Sequence, residues 1–197
     1  MKLENQFYLN SDVVKVAREL LGKVLCVADQ EGILSGIITE TEAYNGITDK
    51  ASHAFGGKNT PRTSVMFGEG GHAYVYLCYG IHRLFNVVTN TSGIPHAVLI
   101  RAIIPLDHAA IQMKRRNVSN PFKGFDGPGK VTAALNIGLH DNGKSLAGER
   151  IWIEDRKIKI HGKNIAVTPR IGVDYAGEDA LLPYRFVVKR GDQIVNY

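Results

Sequence analysis

Two carboxylates and a phenol fall at alternate positions in the string Glu40-Thr41-Glu42-Ala43-Tyr44. The run from Ile33 to this string reads as a β-strand. Successive strand side chains point to opposite faces, so Glu40, Glu42 and Tyr44 share one. A face of that composition, feeding a long loop, suits proton transfer; it equally suits a plain solvated strand face. His53 follows in Ala51-Ser52-His53-Ala54-Phe55. A lone loop histidine serves structure as readily as catalysis. A metal centre built from Glu40, Glu42, His53 and His72 has no support from spacing, which matches no compact ligand motif.

Arg101 interrupts an apolar run at residues 97–104. A charge in such a strand needs a carboxylate or phosphate partner, and Glu42 is a candidate. Asn86, in Leu84-Phe85-Asn86-Val87-Val88, needs an internal partner or a ligand. In Tyr74-Val75-Tyr76-Leu77-Cys78-Tyr79-Gly80, Tyr74 and Tyr76 share a face and Tyr79 stands where the strand turns. Tyr74 suits internal packing. Tyr76 and Tyr79 suit stacking and wedging, since aromatic faces hold nucleobases at about 1–3 kcal/mol each. Lys58, Arg62, Lys114, Arg115, Arg116, Lys123 and Lys130 are basic, several of them beside glycines that let backbone approach phosphate. Arg115 and Arg116 read as solvated surface.

The elements that must position these groups follow from periodicity. Ser11-Asp12 opens a helix with an apolar face of Val13, Val16, Ala17, Leu20 and Leu21, and Gly22 stops it. Strands are expected at residues 23–28 and 33–44, joined by a turn at Gln30-Glu31-Gly32. Residues 45–71 form a long glycine-rich loop, a kind that is usually functional or disordered. Further strands are expected at residues 72–78, 84–89, 97–104, 151–153, 171–173 and 185–189. Helices are expected at residues 106–116 and 130–137, the second ended by Gly138, with a loop at 117–129 between them. Strands separated by hairpin-sized gaps predict a mostly antiparallel sheet with marginal helices, an α+β fold in one domain over residues 1–197.

Composition narrows the partners. The 197 residues include 24 Lys and Arg against 19 Asp and Glu, a net charge of +5 that favours an anionic partner such as nucleic acid. Cys26 and Cys78 lie in apolar runs far apart and read as buried thiols of a reducing compartment. Residues 1–10 lack a signal-peptide core, and the longest apolar stretch is too short to span a bilayer, so a cytoplasmic protein is expected.

Taken together, these strings resemble the alkyladenine (3-methyladenine) DNA glycosylase family. The likeness runs through Glu40 to Tyr44, His53, Gly56-Gly57, Thr60-Pro61-Arg62, Met66-Phe67, Tyr74 to Tyr76 and Tyr79-Gly80. It continues through Asn86, Val98-Leu99-Ile100-Arg101-Ala102 with Pro105, Gly127-Pro128 with Lys130, and Arg170-Ile171-Gly172-Val173. It covers the chain from about residue 9 to residue 197, in the family's order, as in a compact bacterial member.

The resemblance implies a fold like the C-terminal domain of methionyl-tRNA formyltransferase. It implies excision of 3-methyladenine, 7-methylguanine, hypoxanthine or ethenoadenine from duplex DNA. Glu42 would activate water, held also by Arg101 and the carbonyl of Ile171. Tyr44, His53, Tyr76, Asn86 and Leu99 would form the base pocket, with Asn86 disfavouring guanine. Tyr79 would wedge the duplex; Lys58, Arg62, Ile81, His82 and Lys130 would meet the DNA backbone. No metal, cofactor, Schiff-base lysine or obligate protein partner is implied. His82, Lys58 and Ile94-Pro95-His96 depart from a relative's residues and bear on lesion preference and affinity. A non-catalytic nucleic-acid-binding module of the same fold is the competing reading, and Glu42 with Arg101 separates the two.

Overall fold

A computed structural model describes residues 1–189. The chain opens with α1 (Asn5–Tyr8) and α2 (Val13–Glu19), then forms β1 (Val24–Asp29) and β2 (Gly32–Tyr44). After a long connection come β3 (Ala73–Cys78), β4 (His82–Thr89) and β5 (His96–Pro105). α3 (Ala109–Arg116) and α4 (Pro128–Leu135) precede β6 (Ile151–Glu154), β7 (Ile165–Thr168) and β8 (Arg185–Val188). All named strand pairs are antiparallel, as expected for an α+β fold. They join one eight-stranded sheet in the order β3-β4-β5-β2-β1-β6, with β8 added to β2 and β7 to β8.

β2 is the spine. β5 runs along one edge, while β1 and then β8 share the other. Period-two patterning splits β1: Leu25 and Val27 enter the main core, and Val24 and Cys26 pack on the opposite face with Trp152. α2 and α4 cover the main core through Val16, Ala17, Leu20, Val131, Ala134 and Leu135.

A phase shift in this spine creates the site. Leu34 and Ile38 face the main core. Regular alternation would send Glu40, Glu42 and Tyr44 after them, into the same apolar interior. Instead the β2–β5 register slips on both sides of Glu40, leaving Thr39 and Arg101 without a paired residue. A bulge re-aims every side chain beyond it. Past the slip Ala43 enters the core, and Thr41 bonds the Ala17 carbonyl at 2.7 Å. The carboxylates and Tyr44 are thereby released to the other face.

Several boundaries differ from expectation for local reasons. Helix α3 begins at Ala109, not 106, because Ser35 and Asp107 bond reciprocally and His108 takes φ 54°. Helix α4 starts at Pro128, a favoured first position, and ends on Asn136 with φ 55°. Residues 171–173 are not a strand: Gly172 has φ 74° and turns the chain. The strand of this region is β7, which the sequence pattern does not reveal. Residues 45–71 are ordered by short 3-10 turns at Gly46–Thr48, Phe55–Gly57 and Ser64–Phe67. Arg115 is no solvated residue; it pairs with Asp29 at 2.8 Å, and Arg116 donates to the Gly124 carbonyl. Among the described residues no helix is long and apolar enough to cross a membrane.

Candidate active site

A cleft of about 580 Å³ opens where the long connection, the β3–β4 hairpin, β5 and the segment at 171–175 meet. Tyr44, His53, Tyr76, Asn86, Leu99, Arg101 and Ile171, named from the sequence, all line it. Glu42 does not. Its side chain is wholly buried, one residue behind the wall. The three groups that hold its carboxylate, Tyr44, Arg101 and Ile171, are themselves part of the lining. Tyr44 donates its hydroxyl to Oε2 at 2.8 Å, and the Ile171 amide donates to Oε1 at 2.8 Å. The Arg101 Nε lies 3.4 Å from Oε1.

The nearer partner of Arg101 is Glu40, at 2.7 Å, rather than Glu42. Arg185 reaches the same Glu40 oxygen at 2.7 Å. Two acids thus meet two arginines, so the four charges balance in a region where an unpaired one would be costly. Glu40 is engaged by both arginines, whereas Glu42 also bonds Tyr44 and Ile171. Burial pushes the Glu42 carboxyl above its usual range, opposed by Arg101, the Ile171 amide and the Tyr44 hydroxyl.

The aromatic walls are interlocked. His53 meets Tyr76 edge-on at 4.6 Å, and its Nδ1 is 2.9 Å from the Tyr74 hydroxyl. Burial, then the nearby Arg62 charge, pushes His53 down to about 4, so it is neutral at physiological pH. Asn86 is buried in β4 and donates to the Tyr74 carbonyl at 3.1 Å. Tyr74 is therefore packing, as expected, but packing that holds both His53 and Asn86.

A second anchor was not foreseen. Arg170 and Asp49 form a buried two-bond ion pair; one bond is 2.5 Å and the other 2.9 Å. The Arg170 guanidinium lies 4.9 Å from the Tyr44 ring centre and also bonds the Ala43 carbonyl. Asp49 accepts from the Asn45 and Ala51 amides, each at 3.0 Å. This clamp backs Tyr44 and fixes the residue before Ile171. Only the direct adjacency of Arg170 to Ile171 hinted at it in sequence.

The β3–β4 hairpin forms the lip. Tyr79 is 88% exposed with φ 50°, and Ile81 is 67% exposed. A non-glycine residue held in the left-handed region is strained by about 1–2 kcal/mol, and two large apolar side chains in water add to the cost. Function is the usual reason for such a tip. His82 and Lys130 line the cleft beside it, although Lys130 is paired with Asp126 at 3.0 Å. Lys58 is exposed on the long connection. Arg62, expected at the DNA backbone, lines the cleft with its guanidinium over the Tyr76 ring. Cys78 is not buried as expected; it is half-buried and lines the cleft. The four residues weighed as a metal centre are dispersed: His72 bonds the Glu69 carbonyl, His53 bonds Tyr74, and the acids bond arginines. Among the described residues no group of three or more His, Cys, Asp or Glu side chains could hold a metal ion.

Fold and cleft together set a buried carboxylate behind an aromatic-lined cleft with an exposed tyrosine at its lip. The family description that matches residues 6–192 is "Methylpurine-DNA glycosylase (MPG)". A Chlamydia felis protein is 48% identical over 188 residues, covering 94% of this chain and 95% of its own. A Bacillus cereus protein is 45% identical over 200 residues, covering 96% of each. Both carry the name "Putative 3-methyladenine DNA glycosylase". The chain belongs to the methylpurine-DNA glycosylase family, whose members are hydrolases of N-glycosyl bonds in DNA repair.

Proposed function

We propose that the protein extrudes alkylated or deaminated purines from duplex DNA into the Tyr44–Tyr76 cleft and hydrolyses their N-glycosidic bond with a water activated by Glu42. The observation that carries this reading is a wholly buried carboxylate directly behind an aromatic cleft with an exposed tyrosine at its lip. A base inside a stacked duplex is out of reach, so it must leave the helix. Tyr79 fills the gap, and Tyr44, His53 and Tyr76 stack on the extruded ring with Leu99 and Asn86 beneath. Asn86 crowds a guanine 2-amino group. Arg101 and the Ile171 carbonyl hold the water, whose oxygen bonds to C1′ as its proton passes to Glu42. The C1′–N bond breaks, and its electron pair departs with the purine. For 3-methyladenine this neutralises a cation, so no acid is needed. Lys58, Ile81, His82 and Lys130 meet the backbone. The protein acts in the cytoplasm on damaged double-stranded DNA, on a fold of the formyltransferase C-terminal-domain type, without a metal or cofactor.

A labelled duplex carrying one hypoxanthine or ethenoadenine, incubated in EDTA and then treated with hot alkali, tests this. Cleavage at the lesion only after alkali is the expected result. Cleavage without alkali would mean a lyase, and activity lost in EDTA would mean a metal hydrolase. Binding without release of any damaged base, methylated purines included, would leave a non-catalytic nucleic-acid module.

The raised Glu42 carboxyl gives a pH prediction. Only the ionised form accepts a proton, so single-turnover rates fall with decreasing pH, with a limb above the ordinary glutamate value of about 4.3. Tyr44→Phe removes a hydrogen bond to the ionised form and moves that limb to higher pH. A limb unmoved by Tyr44→Phe would contradict the coupling. Tyr79→Ser should slow release from a stable duplex by about tenfold or more, and much less from a lesion in an unstable mismatch, where extrusion costs little. Equal slowing on both would remove the wedge role.

A further inference from the structure

We propose that Arg62 determines specificity in the base site as a resident cation, handicapping positively charged purines relative to neutral ones; this rests on the glycosylase reading above. The Arg62 guanidinium carbon stands 4.8 Å from the centre of the Tyr76 ring. Its Nη2 is 3.2 Å from His53 Nε2. Its position is held from behind, because buried Thr63 bonds the Lys58 carbonyl at 2.7 Å and receives the Thr60 amide at 2.9 Å.

Arginine only donates, so His53 Nε2 must accept. The histidine proton then sits on Nδ1 and bonds the Tyr74 hydroxyl. Arg62 therefore favours one uncharged form of His53 and places a full positive charge against the wall where a base stacks. Tyr44 carries a second guanidinium, that of Arg170. The Tyr76 ring, which would attract a cationic purine, already serves a cation, while Arg170 backs Tyr44 from outside the cleft lining. A charged guest meets repulsion, or must displace Arg62 from Tyr76; a neutral guest meets no such repulsion.

Two unit charges about 7 Å apart near a protein surface repel enough to change an equilibrium by about tenfold or more. Single-turnover rates at saturating enzyme, on duplexes carrying 7-methylguanine or hypoxanthine, read this directly and cancel changes in DNA affinity. Arg62→Gln keeps a donor for His53 but removes the charge. It should raise the 7-methylguanine to hypoxanthine rate ratio about tenfold, as should Arg62→Ala, while Arg62→Lys stays near wild type. If wild type releases only the cationic base, the same rise is read on that base alone. A ratio unchanged in Arg62→Gln, or equally raised in Arg62→Lys, overturns the proposal and leaves Arg62 a backbone contact. Failure of the wild-type protein to release either base, or 3-methyladenine from methylated DNA, would instead overturn the glycosylase reading itself.

Discussion

Glu42→Gln should lower base release about 10²–10⁴-fold, the usual contribution of a positioned general base, while DNA binding stays close to wild type. The two side chains match in shape. The amide oxygen of the substituted side chain can still accept the Ile171 amide or the Tyr44 hydroxyl, which now bond the carboxylate. It cannot take a proton from water. Arg101 is not orphaned by the change, because its closest partner is Glu40. The variant should therefore fold, which makes the kinetic result interpretable. Single-turnover release and duplex binding measured on the same preparation separate the outcomes. A rate within about threefold of wild type, far short of the loss a general base implies, would remove Glu42 from that role; equal loss of binding and rate would make it a structural residue.

Residue type and neighbours marked Glu40 and Glu42 as a pair, and only the family resemblance singled out Glu42 as the base. A carboxylate and an arginine in two apolar strands must find each other or a ligand, and a tyrosine two residues on shares their face. Strand positions were legible for the same reason, since β-branched and apolar residues alternate around turn-forming glycines. The double slip at Thr39 and Arg101 was not. It is set by how two strands pair, and nothing local to either marks it. Without it Glu42 would share a face with Leu34 and Ile38. The inward turn of Arg62 was equally hidden, because an arginine in a polar loop next to a proline looks like a phosphate contact. Residues 171–173 looked like a strand by their β-branched ends, yet Gly172 turns the chain and frees the Ile171 amide for Glu42. In that segment a mistaken element coincides with a residue named for its carbonyl, whose amide bonds Glu42.

Asp49→Ala should cost about 3–5 kcal/mol of stability, the usual loss when one member of a buried ion pair is removed. For a chain of this size that lowers the melting temperature by roughly 6–20 °C. Asp49 and Arg170 side chains are 1% and 0% exposed, so the guanidinium left behind has no water to turn to. The Asn45 and Ala51 amides lose their acceptor at the same time. Arg170→Met removes the charge but leaves Asp49 its two amides, so it should destabilise less than Asp49→Ala. Adding Arg170→Met to Asp49→Ala should then restore part of the loss, because the unpaired cation is gone. Thermal unfolding of the three variants decides the matter. Additive losses in the double variant would mean that the two residues do not act as a pair. The functional consequence follows from position: Asp49 ties down the turn between Tyr44 and His53, and Arg170 backs the Tyr44 ring. Loosening either frees one wall of the cleft and, with it, the Tyr44 hydroxyl and the Ile171 amide that hold the Glu42 carboxylate. A loss of base discrimination is therefore expected in Arg170→Met at temperatures where the variant remains folded.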